Sequence, residues 1–399
     1  MTGILRPPHH PPPSGDGPPA LPDAVPDARP DAVAPGAPAA PAPAATPRQR
    51  DAYFDNVKFF LIMLVVLGHF WEVFRKDSGA ANAAYTVVYA FHMPVFVFVA
   101  GYFSRGFMRS TDKFRGIFPT LVVPFVIFNA LYRLLTFFNV DDFQLMGAFR
   151  PQYLMWFLVA LVLWRLSAPL WSHLRYPVGT AVVLSLIAGT WSFNSDPTLC
   201  RAAGLLPFFV LGLTIRTGGD REGSRRGYRP GPVQALRDRG WTRWPGMFVL
   251  LAALPVAYVW ERGTIVPKIE HGVRLWNRGY EHMGFSLQEG ISYRALAMVF
   301  ALVLGVAFLA AVPRGRAWYT RLGTRTMYVY LLHGLVVKSL DYGGVLDGRF
   351  FQTPAGLVLV TAGALALGVV LATPPVVRLT RWAIEPQGRW LLKPSQGTT

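Results

Sequence analysis

Beyond its first fifty residues the chain returns repeatedly to long apolar runs, near 57–75, 83–104, 117–138, 154–172, 177–193, 202–216, 244–261, 294–312, 326–340 and 355–377. Most approach the roughly 20 residues that a helix needs to cross a hydrocarbon core about 30 Å thick. The sixth and ninth runs are the weakest, being short or interrupted by glycine. Pro94, Pro119, Pro124, Pro207 and Pro255 fall inside the runs. A helical bundle tolerates them because neighbouring helices and water take over the freed carbonyls. With 52% of its residues hydrophobic and 15% charged, the chain is too apolar for a soluble protein of its length. The expected fold is all-α: a polytopic integral membrane protein of about ten transmembrane helices in one bundle, with no internal repeat visible.

The net charge of +17 would suit a nucleic-acid partner if it lay on one face. Instead, Arg and Lys sit in short segments between apolar runs, so no nucleic acid is expected. If the N-terminal tail is cytoplasmic, the inner loops collect Arg105, Arg109, Lys113 and Arg115, then Arg175, the Arg-rich 216–243 segment, Arg314 to Arg325, and the C-terminal Arg378 to Lys393. The outer loops are poorer and mixed in sign. This alternation satisfies the positive-inside bias and puts both termini in the cytoplasm, as in a multi-pass inner (plasma) membrane protein. Residues 1–48 are rich in Pro, Ala, Gly and Asp and cannot bury enough surface to offset ordering, so they read as a disordered cytoplasmic tail. That tail has no apolar core or cleavage site of a signal peptide, so the first apolar run is expected to remain as the first helix. The membrane domain then spans 49–385, and 386–399 forms a short cytoplasmic tail. Cys200 is the single cysteine, which rules out an intrachain disulfide and a cysteine-based metal site.

Ionisable residues inside apolar runs cost several kcal/mol unless they face a polar cavity and pair, which makes them functional-site hypotheses. The first run reads KFFLIMLVVLGHFWEVF. Lys58 lies at its inner edge, and His69 follows eleven residues on, a helical rise of roughly 16 Å. Glu72, one turn further, shares a neighbouring face and is placed to hold one imidazole nitrogen and raise the basicity of the other. The second run, AFHMPVFVFVAGYFSR, carries His92 about midway beside an expected kink at Met93-Pro94. The ninth carries MYVYLLHG, with His333 about 12 Å from its inner edge. Taken singly, His92 and His333 fit packed residues with one hydrogen bond each equally well, and Lys58 fits a snorkelling anchor. Asp55 is as readily its ion-pair partner as a functional acid. Tyr85, Tyr89, Trp156, Trp241, Trp244 and Trp260 fit an interfacial aromatic belt. The 262–292 loop, with His271, Trp276, Tyr280, His282 and Glu289, offers contacts to an external acceptor or a solvated loop. No metal is expected, since no HExxH or other tight ligand spacing occurs, and there is no GxGxxG or P-loop.

The segments FDNVKFFLIMLVVLGHFWE, FHMPVFVFVAGYFSR, MWFLVALVLW, GLLPFFVLG and LGTRTMYVYLLHG together resemble the acyltransferase-3 family of membrane O-acyltransferases, in its fucose 4-O-acetylase-like branch. The likeness runs from about Arg50 to His333, and its most specific element is a basic residue followed after ten positions by histidine. It implies an O-acyltransferase that takes an acyl group, usually acetyl from cytoplasmic acetyl-CoA, to a hydroxyl of a glycan, a glycolipid or a secreted small molecule. His69 and Lys58 match the family's histidine and basic positions. On that reading Lys58, Arg50, Arg105 and Arg325 screen the coenzyme A phosphates at the inner face. His69 acts as base or acyl carrier, and His92, His333, Tyr328 or Tyr330 supplies a hydrogen bond to the developing oxyanion. The rival class is a proton-coupled secondary transporter or exporter that uses intramembrane His and Glu as a relay.

Overall fold

The computed structural model describes residues 51–74, 78–108, 112–139, 150–190, 197–215, 231–262 and 276–386. The N-terminal tail, Arg50, His271 and most of the C-terminal tail lie outside these ranges. Among the described residues there is no β-strand, and each of the ten apolar runs is helical. They form α1 (Ala52–Phe74), α2 (Gly79–Phe103), α3 (Val123–Asn139), α4 (Trp156–Ser172), α5 (Pro177–Ala188), α6 (Pro197–Thr214), α7 (Arg243–Glu261), α8 (Leu287–Ala311), α9 (Thr326–Tyr342) and α10 (Pro354–Leu371). An amphipathic α11 (Pro374–Ile384) follows. Eight of the ten are long and apolar enough to cross a membrane. The chain is a multi-pass, all-α membrane protein.

The two that fall short are α5, of 12 residues, and α9, of 17; α3 and α4, also of 17 residues, are lengthened by the helical turns that lead into them. The sixth run, weak as a sequence, becomes a full-length helix because α6 starts at Pro197, ahead of the apolar stretch. Proline is preorganised for the first helical position, where its missing N–H is no loss. Helix starts elsewhere follow side-chain capping. Ser78 Oγ accepts from the Ala81 amide at 3.3 Å to begin α2, and Ser286 and Glu289 form a reciprocal capping box at α8. Pro119 is accommodated in a π-helical turn, Phe118–Val122, that leads into α3.

Packing centres on α2, which meets α1, α6, α7 and α8, while α1 also meets α9 and α10. The closest crossing is between α2 and α6. A Cβ placed on Gly101 would lie 2.1 Å from the Phe209 carbonyl oxygen, and one on Gly212 would lie 2.0 Å from that of Phe98. In hydrocarbon there is no solvent-driven force between helices, so backbones that approach this closely gain their cohesion from van der Waals contact, and small residues make it possible. The start of α1 is tied to the chain before α9 by a buried asparagine. Asn56 Nδ2 donates to the carbonyls of Pro313 (2.8 Å) and Gly315 (2.9 Å), and Asn56 Oδ1 accepts from the Thr320 hydroxyl at 2.7 Å. Large apolar side chains such as Phe248 and Val358 point outward, as a hydrocarbon-facing surface requires.

Candidate active site

The second half of α1, the first half of α2 and the starts of α4 and α6 surround a cavity of about 330 Å³. Its polar lining consists of His69 and Glu72 from α1, Tyr85, Tyr89 and His92 from α2, Tyr153 ahead of α4, and Thr198 and Arg201 from α6, with Trp156, Trp276 and Tyr330 among the aromatic walls. His69 is held here, but by a different partner from the one its helix suggests. Its Nδ1 lies 3.7 Å from Glu72 Oε2, too far for a hydrogen bond, and 2.8 Å from the Tyr153 hydroxyl. The ring also faces His333, with centroids 5.6 Å apart.

The other two histidines share one arrangement. His92 Nδ1 lies 2.7 Å from the Val88 carbonyl and His333 Nδ1 lies 2.7 Å from the Val329 carbonyl, each one turn earlier on its own helix. A carbonyl oxygen only accepts, so in both rings the proton sits on Nδ1 and, in the neutral ring, Nε2 presents a lone pair. His333 Nε2 is buried and has no hydrogen-bond partner among the described residues. His92 lines the cavity, whereas His333 contacts the His69 ring from α9. As neutral rings these two accept hydrogen bonds and cannot donate to an oxyanion. Of the expected tyrosine donors, Tyr330 spends its hydroxyl on the Leu154 carbonyl. Tyr328 stands near the opening of α9, away from the cavity lining.

Long-range contacts place Tyr153. The Gln152 amide donates to Asn129 Oδ1 on α3 at 2.8 Å, and the Tyr330 hydroxyl holds Leu154 on the other side. Between these two anchors Tyr153 adopts φ 47°, and Trp276 adopts φ 54°; they are the two non-glycine residues with positive φ among those described. Both line the cavity. Such conformations are costly, persist where surrounding contacts over-determine them, and cluster at functional sites. The turn that follows Trp276 is fastened by buried Arg294 of α8, which donates to the Ser185 carbonyl (2.8 Å) and the Arg278 carbonyl (3.3 Å). Tyr280 in that turn donates to the Leu186 carbonyl at 2.9 Å. Burial pushes its hydroxyl above the ordinary tyrosine range, and Arg294 beside it pulls the other way.

The opposite end of α1 is arranged differently. Lys58 is paired with Asp55 at 2.6 Å. Arg105 Nη2 donates to the Gly212 carbonyl at 3.4 Å and to the Ile215 carbonyl, and its guanidinium stacks on Tyr102. Arg325 Nη1 donates to the Ala372 carbonyl at 2.8 Å. Two of the arginines expected at a phosphate thus close the ends of α6 and α10. Beside Lys58 and Asp55 lies a hollow of about 540 Å³ that includes Arg316, Trp318, Thr320 and Arg321 in its lining. Neither the cavity nor this hollow includes Arg105 or Arg325.

Three groups at the cavity escape a reading of the sequence. Tyr153 lies just before an apolar run and carries no local sign that it meets His69. Arg201 precedes the sixth run by one residue, although the Asp196-Pro197 pair is a helix-start signal that puts it inside the helix. Tyr85 and Tyr89 fit an aromatic belt by sequence, yet they are buried and stacked, with ring centroids 3.8 Å apart at the cavity wall. Trp244 and Trp241, which are exposed, do fit such a belt. In the 262–292 loop Trp276 turns inward to the cavity, while Glu289 is engaged as a cap with Ser286.

The polar, histidine-centred cavity lies within the apolar bundle of a chain whose family is that of membrane acyltransferases. The acyltransferase domain of the acyltransferase-3 family matches residues 51–373, and the chain belongs to that family. It is similar to the nodulation protein NolL of Sinorhizobium fredii, 30% identical over 345 residues that cover 77% of this chain and 84% of that protein. A shorter likeness, 33% over 78 residues, covers 19% of this chain and 21% of the nodulation protein NolL of Mesorhizobium japonicum. No solved structure matches the chain. The family membership supports the enzyme class over the transporter.

Proposed function

We propose that this acyltransferase moves an acetyl group from cytoplasmic acetyl-CoA to a hydroxyl of a carbohydrate-bearing acceptor in or beyond the inner membrane, with His69 as the general base. The observation that carries the reading is the placement of His69: at the wall of the cavity, with Nδ1 engaged by Tyr153 and the Glu72 carboxylate behind it. With the proton on Nδ1, His69 donates to the Tyr153 oxygen and its Nε2 lone pair is left for chemistry.

Acetyl-CoA approaches from the Lys58 end, where the Arg316, Arg321 and Trp318 hollow and Lys58 itself supply cationic and aromatic partners for a nucleotide phosphate. Its thin pantetheine arm suits the helical rise of roughly 16 Å between Lys58 and His69. The acceptor enters the cavity, whose mix of aromatic faces, a carboxylate and a guanidinium suits a hydroxyl-rich ring. His92 and His333, presenting lone pairs, hold hydroxyl protons or support the His69 ring.

The test supplies inverted vesicles with acetyl-CoA labelled in its acetyl group. Vesicles containing the protein are expected to release CoA and to place label as an alkali-labile ester on membrane carbohydrate, beyond the level of vesicles lacking it. Equal labelling in both would overturn the proposal. A label that remains on the protein and is released by hydroxylamine would replace the general-base route with an acetyl-imidazole carried by His69.

A further inference from the structure

Acetyl transfer builds negative charge on the thioester carbonyl oxygen, and in a low-dielectric site that charge requires a preorganised donor. Of the residues that the sequence nominates for the task, Tyr328 lies outside the cavity lining and the other three are otherwise engaged. His92 and His333 direct their N–H groups to the Val88 and Val329 carbonyls, and Tyr330 directs its hydroxyl to Leu154. Arg201 is not. It sits about one turn into α6, half-buried, as the arginine among the described residues that line the cavity shared with His69 and Glu72. Its guanidinium stacks on Trp156, 5.0 Å from the ring centroid. No described residue accepts a hydrogen bond from it. A guanidinium has five N–H donors in a fixed fork, and stacking on a ring face engages none of them. A charge held at a cavity inside an apolar bundle, with no described acceptor for its donors, marks a site completed by a ligand oxygen.

We propose that Arg201 is a catalytic residue that donates to the carbonyl oxygen of the acetyl thioester as it becomes an oxyanion. The inference rests on the acetyl-CoA reading above. In the step it serves, the acceptor O–H bond breaks and its proton passes to His69 Nε2. The acceptor oxygen bonds to the acetyl carbon, and the carbonyl electron pair moves onto oxygen, where Arg201 N–H groups hold it. Return of that pair breaks the carbon–sulfur bond, and the departing thiolate takes the proton back from His69. Ester and CoA thiol are the products, Arg201 neither gains nor loses a proton, and no other reactant is needed. Trp156 fixes the plane of the guanidinium in advance, which is the preorganisation this kind of stabilisation depends on.

The test compares wild type with Arg201→Ala, Arg201→Gln and Arg201→Lys in inverted vesicles, measuring kcat and KM for acetyl-CoA by CoA release. Loss of one oxyanion donor typically lowers kcat by about 100-fold to 1,000-fold. Arg201→Ala and Arg201→Gln are expected to fall by that amount with KM for acetyl-CoA little changed. Arg201→Lys, keeping charge without the fork, is expected to lie between them and wild type. Millimolar guanidinium ion is expected to restore part of the turnover of Arg201→Ala, a recovery that a misfolded protein does not show. Wild-type turnover in Arg201→Ala, a loss confined to KM, or a loss in all three variants that guanidinium leaves unmoved would overturn the role. A wild type that releases no CoA would overturn the acetyl-CoA reading itself, which separates the two failures.

Discussion

The two ends of α1 handle their charges in opposite ways. At the Lys58 end the lysine is paired with Asp55, Arg105 closes α6 and Arg325 closes α10. The last carbonyls of a helix lack partners and carry the negative end of its dipole, so a cation there stabilises the fold whether or not a ligand binds. At the His69 end the cavity contains Arg201, whose donors meet no described acceptor, and a histidine fixed by a tyrosine from the turn before α4. Basic residues in a bundle therefore fall into two kinds. Their side of the membrane reports topology, but whether one is available to a substrate depends on which carbonyls lie within its reach.

The largest effect is expected at the helix crossing that supports the cavity. Gly212→Leu would drive a side chain into the Phe98 carbonyl and is expected to eliminate folded protein, read by the loss of a monodisperse peak in detergent. Tyr153→Phe keeps the ring but removes the hydroxyl on His69. A fall in kcat of about tenfold is expected, consistent with the modest net worth of one hydrogen bond, and unchanged turnover would show that His69 needs no orienting group. Lys58→Ala is expected to raise KM for acetyl-CoA severalfold with kcat nearly constant, as loss of ground-state binding does. Arg325→Ala sharpens the contrast from the other side. It removes a half-buried cap worth ~1 kcal/mol, so a lower melting temperature by a few degrees is expected, with KM for acetyl-CoA unmoved. A rise in KM equal to that of Lys58→Ala would return Arg325 to the donor site.

Much of the bundle is legible in the sequence because hydrocarbon imposes a length on each crossing. The apolar runs give ten helices in the right order, and Lys58, His69 and Glu72 stand out because a charge within such a run needs a cause. Legibility fades where the determinant is a contact between distant segments. Glu72 is the evident partner of His69 by spacing, yet Tyr153, 84 residues away, is the closer one. Its position depends on Asn129 of α3 and Tyr330 of α9, which no local pattern connects. Arg201 is lost to a boundary: an apolar criterion starts the helix after it, while the proline at Pro197 starts it before. Tyr85 and Tyr89 have the composition of an aromatic belt, and their place at the cavity wall follows from how α2 is rotated against α1 and α6.

The central claim is that acetyl transfer takes place at the His69 cavity while the arginines at the other end serve the fold. The direct measurement is acetyl-CoA turnover in inverted vesicles by His69→Ala and Arg325→Ala at matched amounts of folded protein. The expected result is a loss of at least about 100-fold for His69→Ala and near wild-type turnover for Arg325→Ala. Full turnover by His69→Ala would contradict the account.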